Sequence, residues 1–236
     1  MIIFGPMRLI KWITYAITVA AVIYVLLLAF PQLYFSTRSE HGPFVVHAKA
    51  PLDERMKGIL DLAAERIARS EFHDPQMKFT IVLCGGQATY SFFAPTARDA
   101  FASTYPLLRT IYINAHDPAT DKVLRPAPKN NVRSLSGTIA HEAGHVMLEK
   151  SLGLLKYRML PVWLNEGYCD HLAGESSIAD LEGRAMFCEG TLDHPYFLGR
   201  LRVEHLLAGG SGFDRIVSER PDPALIDDAM RKQNCR

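Results

Sequence analysis

An uninterrupted apolar run near the N-terminus is the strongest structural signal in this chain. Residues 13–30 carry no charged side chain, and Lys11 is the only charge between Leu9 and Phe30. A run of this length is about long enough to cross a bilayer as a helix. A buried core helix is a poor alternative, because the run has no polar face. The sequence therefore predicts one transmembrane helix, and we interpret residues 1–30 as a membrane anchor.

Basic residues before the run predict its orientation. Arg8 and Lys11 precede the apolar segment, and positive charge favours the cytoplasmic side. We expect a single-pass protein with a cytoplasmic N-terminus and the remaining residues outside, in the periplasm if the cell is bacterial. A cleaved secretory signal is the competing interpretation. The run is long for such a signal, however, and residues 28–31 (LAFP) lack a small-x-small cleavage site.

A second pattern, HEAGH at residues 141–145, carries chemistry. On a helix, residues four apart share a face, so His141 and His145 can both reach one metal ion. Glu142 lies beside that ion and can accept a proton from a metal-activated water molecule. Signals typical of the two ends of a helix flank the motif: Ser134 or Ser136 before it, and Gly153 after it.

Two histidines need a third protein ligand, because catalytic zinc sites normally use three. Glu166 is the best candidate, since its segment reads as a second helix that can face back toward the first. Asp170 lies one turn further on the same face, where it can accept the other ring N–H of a histidine, most simply His141. His171 points about 100° away from Asp170 on a helix, and Glu175 lies beyond the expected helix end.

These residues resemble the gluzincin metallopeptidases, which include thermolysin-like enzymes and the large aminopeptidase families. HEAGH with Glu166 matches their ligand set, and WLNEGY (residues 163–168) is similar to the glutamate segment of the aminopeptidases. Asp170 is similar in position to the supporting aspartate of the thermolysin-like enzymes. The match covers residues 141–174 and includes no GxMxN-like exopeptidase signature. The metzincin pattern is excluded, because no third histidine follows at its spacing.

The resemblance implies one bound zinc ion and an electrophilic side chain from the following lobe. Families of this kind use a tyrosine or histidine to stabilise the oxyanion formed at the substrate carbonyl. Tyr196 is the leading candidate, and His194 is the runner-up. Tyr196 can equally be a packing residue beside Phe197, and His205 suits a partly buried position on a helix.

The remaining pattern predicts an α+β fold, which the resemblance makes zincin-like, with a small mixed sheet before the metal helix and a helical lobe after it. We divide the chain into the anchor, a tether at residues 31–50 and a metallopeptidase domain at residues 51–236. The strand RTIYIN (109–114) is a candidate for the sheet edge that lines the cleft, or else a plain core strand. The other predicted segments are a helix at 53–70, a strand at 78–84, a loop at 115–131 and helices at 178–189, 195–208, 213–219 and 223–234.

Composition limits the other functions. The 236 residues are 48% hydrophobic with a formal net charge of +1, which suits one folded domain and gives no basic footprint for nucleic acid. Four cysteines follow the apolar run, and an even number in an oxidising compartment permits two disulfides. The pair Cys169–Cys188 closes the shorter loop, while buried free thiols are an equal alternative.

The sequence therefore predicts a membrane-anchored zinc metallopeptidase that hydrolyses a peptide or protein substrate. His141, His145 and Glu166 bind zinc, Glu142 is the general base and Asp170 supports a ligand. No motif for another cofactor is present. Two alternatives stay open: a zinc hydrolase of a non-peptide amide or ester, and a membrane-anchored binding protein with a degenerate site. Substrate identity and oligomeric state are not encoded in any pattern that we find.

Overall fold

The structure, a computed structural model, describes residues 6–105, 108–125 and 133–235. These residues form an α+β fold with a mixed sheet of five strands in the order β1-β2-β3-β5-β4. Strands β2, β3 and β5 run parallel, whereas β1 and β4 are antiparallel to their neighbours. The strands are β1 (Thr37–His41), β2 (Phe44–Ala48), β3 (Phe79–Leu83), β4 (Ala102–Tyr105) and β5 (Thr110–Ile113). A two-stranded hairpin, β6 (His116–Asp117) and β7 (Lys122–Val123), precedes the metal-motif helix.

Most helices begin and end where the sequence predicts. The helices predicted at 195–208, 213–219 and 223–234 have the same bounds in the structure. Asp53 caps the helix that begins at Glu54 by accepting a hydrogen bond from the Met56 N–H. The helices are α1 (Pro6–Ala29), α2 (Glu54–Ile67), α3 (Gln87–Phe93), α4 (Leu135–Leu152), α5 (Leu154–Arg158), α6 (Val162–Ala173), α7 (Asp180–Glu189), α8 (Pro195–Ala208), α9 (Phe213–Glu219) and α10 (Pro223–Asn234).

Successive side chains of the central strands point to opposite faces of the sheet, and each face is covered by its own apolar cluster. Ile81 and Ile111 face the main core, which they form with α2 and α4. Val82 and Tyr112 face a second cluster formed with α3 and the end of α1. The helix that carries HEAGH is therefore packed into the main core, against the sheet and α2.

The tether predicted for residues 31–50 is wrong, because this segment contains β1 and β2. Strand β2 pairs in parallel with β3, and its Phe44 and Val46 are buried in the main core. Strand β1 alternates half-buried and exposed residues, and all of them are polar. Its sequence therefore shows no alternation of apolar and polar residues from which a strand could be predicted. The folded part therefore begins before residue 51.

The predicted strands at 78–84 and 109–114 are present as β3 and β5. Strand β5 is an interior strand, so its assignment to the sheet edge is wrong, and the alternative of a core strand is confirmed. The described edge beside α4 is instead β4. The predicted loop at 115–131 contains the β6–β7 hairpin, and residues 126–131 of that loop lie outside the described residues.

The cysteines pair differently from the loop-length argument. Cys188 of α7 forms a disulfide with Cys235, which follows α10, while Cys84 and Cys169 are buried free thiols. The suggested Cys169–Cys188 pair is therefore wrong. The observed bridge ties the end of α10 to α7, and neither of its cysteines belongs to α6.

An apolar helix precedes the sheet, as predicted. Within the described residues, Arg8–Ala29 of α1 is the one segment long and apolar enough to cross a membrane, and no residue of its most apolar stretch is buried. A signal sequence meets the same criteria of length and composition. The orientation of α1 in a membrane stays a prediction.

Candidate metal site

The HEAGH motif lies in the middle of the buried helix α4. Ser134 caps the helix by accepting a hydrogen bond of 2.9 Å from the Gly137 N–H, and Gly153 ends it with a positive φ of 79°. Every residue from Leu135 to Leu148 is buried. Both helix-end signals are thus confirmed, and the second of them leads directly into α5.

Helix α6 brings Glu166 to the two histidines. Its Oε2 lies 3.3 Å from Nε2 of His141 and 3.6 Å from Nε2 of His145. Ligand atoms placed about 2.0–2.2 Å from a tetrahedral ion lie about 3.3–3.6 Å from one another. One ligand atom from each residue falls within 4.8 Å of the other two, so this group can hold a metal ion.

The charge of Glu166 suits that arrangement. Burial raises the pKa of Glu166, but the two adjacent histidines outweigh burial and hold it well below its usual range. The carboxylate therefore stays ionised at neutral pH and offers an anionic oxygen beside two imidazole nitrogens.

Asp170 lies against the first histidine, where the sequence placed it. Its Oδ1 is 2.7 Å from Nδ1 of His141, although the ring N–H is not aimed straight at that oxygen. Arg133 forms a buried ion pair with the same carboxylate, and the Ser176 hydroxyl donates to its other oxygen at 2.6 Å. Burial raises the pKa of Asp170, but Arg133 and His141 lower it to about 2.

The second histidine has its own polar surroundings. Nδ1 of His145 lies 3.2 Å from the Asn165 side-chain oxygen, 3.2 Å from the Tyr157 hydroxyl and 3.3 Å from Sγ of Cys169. Burial raises the pKa of the Cys169 thiol to about 11, so this sulfur is neutral at physiological pH. With Nε2 directed at Glu166, the Nδ1–H can donate to Asn165, which fixes the ring orientation.

Glu142 is held by the neighbouring edge strand. The Thr104 hydroxyl of β4 donates to Oε2 of Glu142 at 2.5 Å and also lies 3.3 Å from the Glu142 backbone carbonyl. The glutamate is 8% exposed, and its exposed part lines a cleft of about 490 Å³. A general base needs such partial access, because it must reach a water molecule and a substrate.

The cleft lies between β4 on one side and α4, α6 and α8 on the other. Tyr196, near the start of α8, is 38% exposed and lines it together with Glu166 and both histidines. Burial raises the pKa of Tyr196, so the phenol keeps its proton and can donate a hydrogen bond into the cleft.

The less favoured candidates have other contacts. His194 caps α8 by accepting from the Phe197 N–H, and its Nε2 lies 2.9 Å from the Ser177 hydroxyl. His171 faces Glu204 at 3.8 Å, and Glu175 accepts from the Ser134 N–H at the start of α4. None of the three belongs to the group of metal-ligand atoms found in the described residues.

Sequence reasoning missed the residues that support the site. Asn165 stands next to Glu166 in the chain and could have been found from its position in WLNEGY. Thr104, Arg133 and Tyr157 lie 38, 37 and 12 residues from the groups they contact, and no short motif connects them. These three required the fold.

No protein-family model matches this chain, and no curated protein matches it in sequence.

Proposed function

We propose that the chain is a membrane-anchored, zinc-dependent metallopeptidase of the gluzincin type. The observation that carries the proposal is that one donor atom each from His141, His145 and Glu166 lies within 4.8 Å of the others. An ion held by these three ligands would keep a fourth position for water. Two imidazoles and one carboxylate form a set of ligands that catalytic zinc sites use. These donors and the resemblance of the motif support zinc as the ion.

The residues around the ion divide the chemistry of peptide hydrolysis. When bound, the ion acidifies a water molecule and polarises the substrate carbonyl. Glu142 accepts the proton from that water and passes it to the leaving amine. The Tyr196 phenol donates a hydrogen bond to the developing oxyanion.

Further residues keep these groups in place. Asp170, held by Arg133, orients His141, and Asn165 orients His145. The Thr104 hydroxyl fixes the carboxylate of Glu142 from the side of the sheet. Both histidines and Glu142 thus have a second residue that limits their rotation.

Strand β4 supports a peptide as the substrate rather than another amide or ester. In the described residues β4 is the edge strand on the side of the cleft, and its Ala102, Ser103 and Thr104 line that cleft. An extended polypeptide can add to such an edge through backbone hydrogen bonds. A small amide or ester has no extended backbone that could pair with this strand.

The location outside the cytoplasm is supported by two features. Arg8 and Lys11 precede the apolar run, which favours a cytoplasmic N-terminus. The disulfide Cys188–Cys235 belongs to an oxidising compartment. We therefore assign the catalytic domain to the extracytoplasmic side, which is the periplasm in a bacterium.

Peptide hydrolysis by the full chain in detergent tests this function. Glu142→Gln should retain zinc and lose about 10²–10⁴-fold in activity, because the base is removed. Glu182→Gln, an exposed residue of α7, is the matched control and should hydrolyse like the wild type. Chelation should abolish hydrolysis, and added zinc should restore it. Undiminished hydrolysis by Glu142→Gln, or by zinc-free protein, would contradict the proposal.

A further inference from the structure

The last turns of α1 are packed onto the folded domain. The Tyr24 hydroxyl donates to the Phe92 carbonyl at 2.8 Å, and the Tyr112 hydroxyl donates to the Leu28 carbonyl at 2.9 Å. Leu27 and Leu28 also pack against the buried cluster on this side of the sheet. The apolar helix and α3 therefore form a direct contact rather than being joined only through the chain.

An exposed apolar surface continues from this contact. We call it the docking face; it consists of Phe30, Leu33, Tyr34 and Phe92, which are 47%, 65%, 45% and 47% exposed. The ring of Phe92 meets that of Tyr24 edge-on at 5.2 Å. The docking face is thus continuous with the exposed apolar surface of α1. Both surfaces can contact the apolar part of a bilayer.

The position of Tyr24 along α1 sets the depth of this contact. Helix α1 ends at Ala29, five residues after Tyr24, which corresponds to about 7.5 Å along the helix axis. Interfacial segments bury their apolar faces about 5–10 Å into the boundary between headgroups and acyl chains. When α1 spans a bilayer and its end at Ala29 lies at the membrane surface, Tyr24 and its partner Phe92 lie at that boundary.

Basic side chains stand beside the docking face. Nζ of Lys49 lies 5.1 Å from the centre of the Tyr34 ring. Arg98 is exposed in the loop after α3, and its guanidinium lies close enough to Tyr24 for its charge to act on that hydroxyl. Aromatic rings with neighbouring lysine and arginine are the composition of surfaces that lie in a membrane interface.

We propose that the docking face lies in the interfacial layer of the bilayer that α1 crosses, with Lys49 and Arg98 among the headgroups. The partner of this surface is lipid, not a second protein, because the surface joins the apolar face of a membrane-spanning helix without a break. The domain is then held in one orientation on the membrane instead of turning freely on a tether.

The orientation places the candidate active site close to the membrane. The cleft is lined by Ala97, Asp99 and Ala100, and the Ala97 N–H donates to the carbonyl of Ala94 at the end of α3. This wall of the cleft is therefore tied to the helix that carries Phe92. If the proposed peptidase function holds, on which this consequence rests, the substrates that fit are membrane-anchored polypeptides cut next to the bilayer.

A fluorescent depth measurement tests the docking itself without any activity. Full-length protein is labelled at one introduced cysteine with a polarity-sensitive dye, and is placed in vesicles of phosphatidylcholine and phosphatidylglycerol. The four native cysteines do not compete, because two are buried and two are bridged. The test variants are Leu33→Cys and Phe92→Cys. The controls are Leu181→Cys and Leu225→Cys, exposed leucines of α7 and α10 that are 86% and 69% exposed.

We expect dye at positions 33 and 92 to shift its emission to the blue and to lose intensity when the lipids carry brominated acyl chains. Dye at 181 and 225 should instead be quenched by aqueous iodide. Iodide quenching at 33 equal to that at 181 would overturn the proposal. A blue shift without bromine quenching would overturn it too, because it would indicate a second copy of the chain on the face. If Phe92→Cys lowers the melting temperature, Leu33→Cys decides alone, since its exposed side chain can be changed without disturbing the core.

Discussion

At the scale of single residues, two linked contacts support His141: Arg133 forms an ion pair with Asp170, and Asp170 faces the His141 ring. All three side chains are at most 7% exposed. Charges in such a place are kept only when they are paired, because burying an unpaired ion is costly. The pairing leaves Asp170 anionic beside the ring whose Nε2 would bind the proposed ion.

We predict that Asp170→Asn weakens zinc binding by about 10–100-fold, the usual cost of removing a group that orients a metal-bound histidine. The free zinc concentration at half occupancy, measured by chelator competition on folded protein, gives this value. Asp228→Asn on the exposed side of α10 is the control and should bind zinc like the wild type. An unchanged affinity in Asp170→Asn would show that this aspartate has no part in holding the metal.

The Thr104 hydroxyl gives a second prediction at this scale. Thr104→Val keeps the shape of the side chain and removes the donor to Glu142. A hydrogen bond to a charged group contributes about 1.5–3 kcal/mol, so kcat should fall by about 10–100-fold while zinc content stays the same. Thr104→Ser keeps the hydroxyl and should recover most of the rate. Equal rates for the valine and serine variants would contradict a positioning role.

At the scale of elements, the close approach of α6 and α8 determines where Glu166 lies. Gly167 faces Gly199 so closely that an added Cβ would lie 2.4 Å from the Gly199 backbone carbon, and a Cβ on Gly199 would lie 2.3 Å from the Trp163 carbonyl oxygen. Backbone cannot move aside as a flexible side chain can. The glycine next to Glu166 therefore sets the separation of the two helices.

We predict that Gly167→Ala destabilises the fold by about 1–3 kcal/mol, the usual cost of overpacking, and reduces zinc affinity by moving Glu166. Denaturant unfolding and zinc competition measure the two effects. Gly58→Ala in α2 is the control: its added Cβ meets nothing within 4 Å, so it should stabilise by about 0.5–1 kcal/mol. If both alanine variants are equally stable, the helix contact is looser than the structure shows.

The elements also show what the sequence can and cannot predict. Helix α4 and its ends were predictable, because Ser134 and Gly153 act within a few residues. Strand β4 was not, since its four residues (ASTY) are short for a period-2 pattern and one side faces the cleft. Strand β1 was missed because its polar alternation resembles that of a solvated segment.

The same distinction applies to the candidate site. His141, Glu142 and His145 lie at spacings that one helix imposes, so local geometry placed them; Glu166 was predictable as a residue of the next helix, but its approach to the histidines depends on how α6 packs against α4. The contacts of Thr104 and Arg133 depend on how β4 and α6 pack against α4. Such contacts follow from tertiary structure, which no local spacing encodes.

At the scale of the whole molecule, the disulfide Cys188–Cys235 closes a sequence separation of 47 residues around the helical lobe. Restricting a loop of that size in the unfolded chain contributes about 4 kcal/mol in the chain-entropy account. The bridge joins α7 to the end of α10 and lies apart from the candidate metal site.

We therefore predict that Cys188→Ser with Cys235→Ser lowers the free energy of unfolding by about 2–4 kcal/mol and leaves zinc content unchanged. Unfolding in denaturant with and without reductant measures the first effect. Reductant should destabilise the wild type and leave the double variant unaffected. A loss of zinc from the folded double variant would contradict the separation of bridge and site.

The zinc content of the purified full-length protein shows whether His141, His145 and Glu166 bind a metal ion. Elemental analysis should find about one zinc ion per chain in the wild type and in Glu142→Gln, and close to none in His141→Ala or Glu166→Ala, because a site with three protein ligands loses its geometry when one is removed. Full zinc content in folded His141→Ala and Glu166→Ala would contradict this assignment of the ligands. Absence of zinc from the wild type after dialysis against a buffer that contains zinc would contradict it as well.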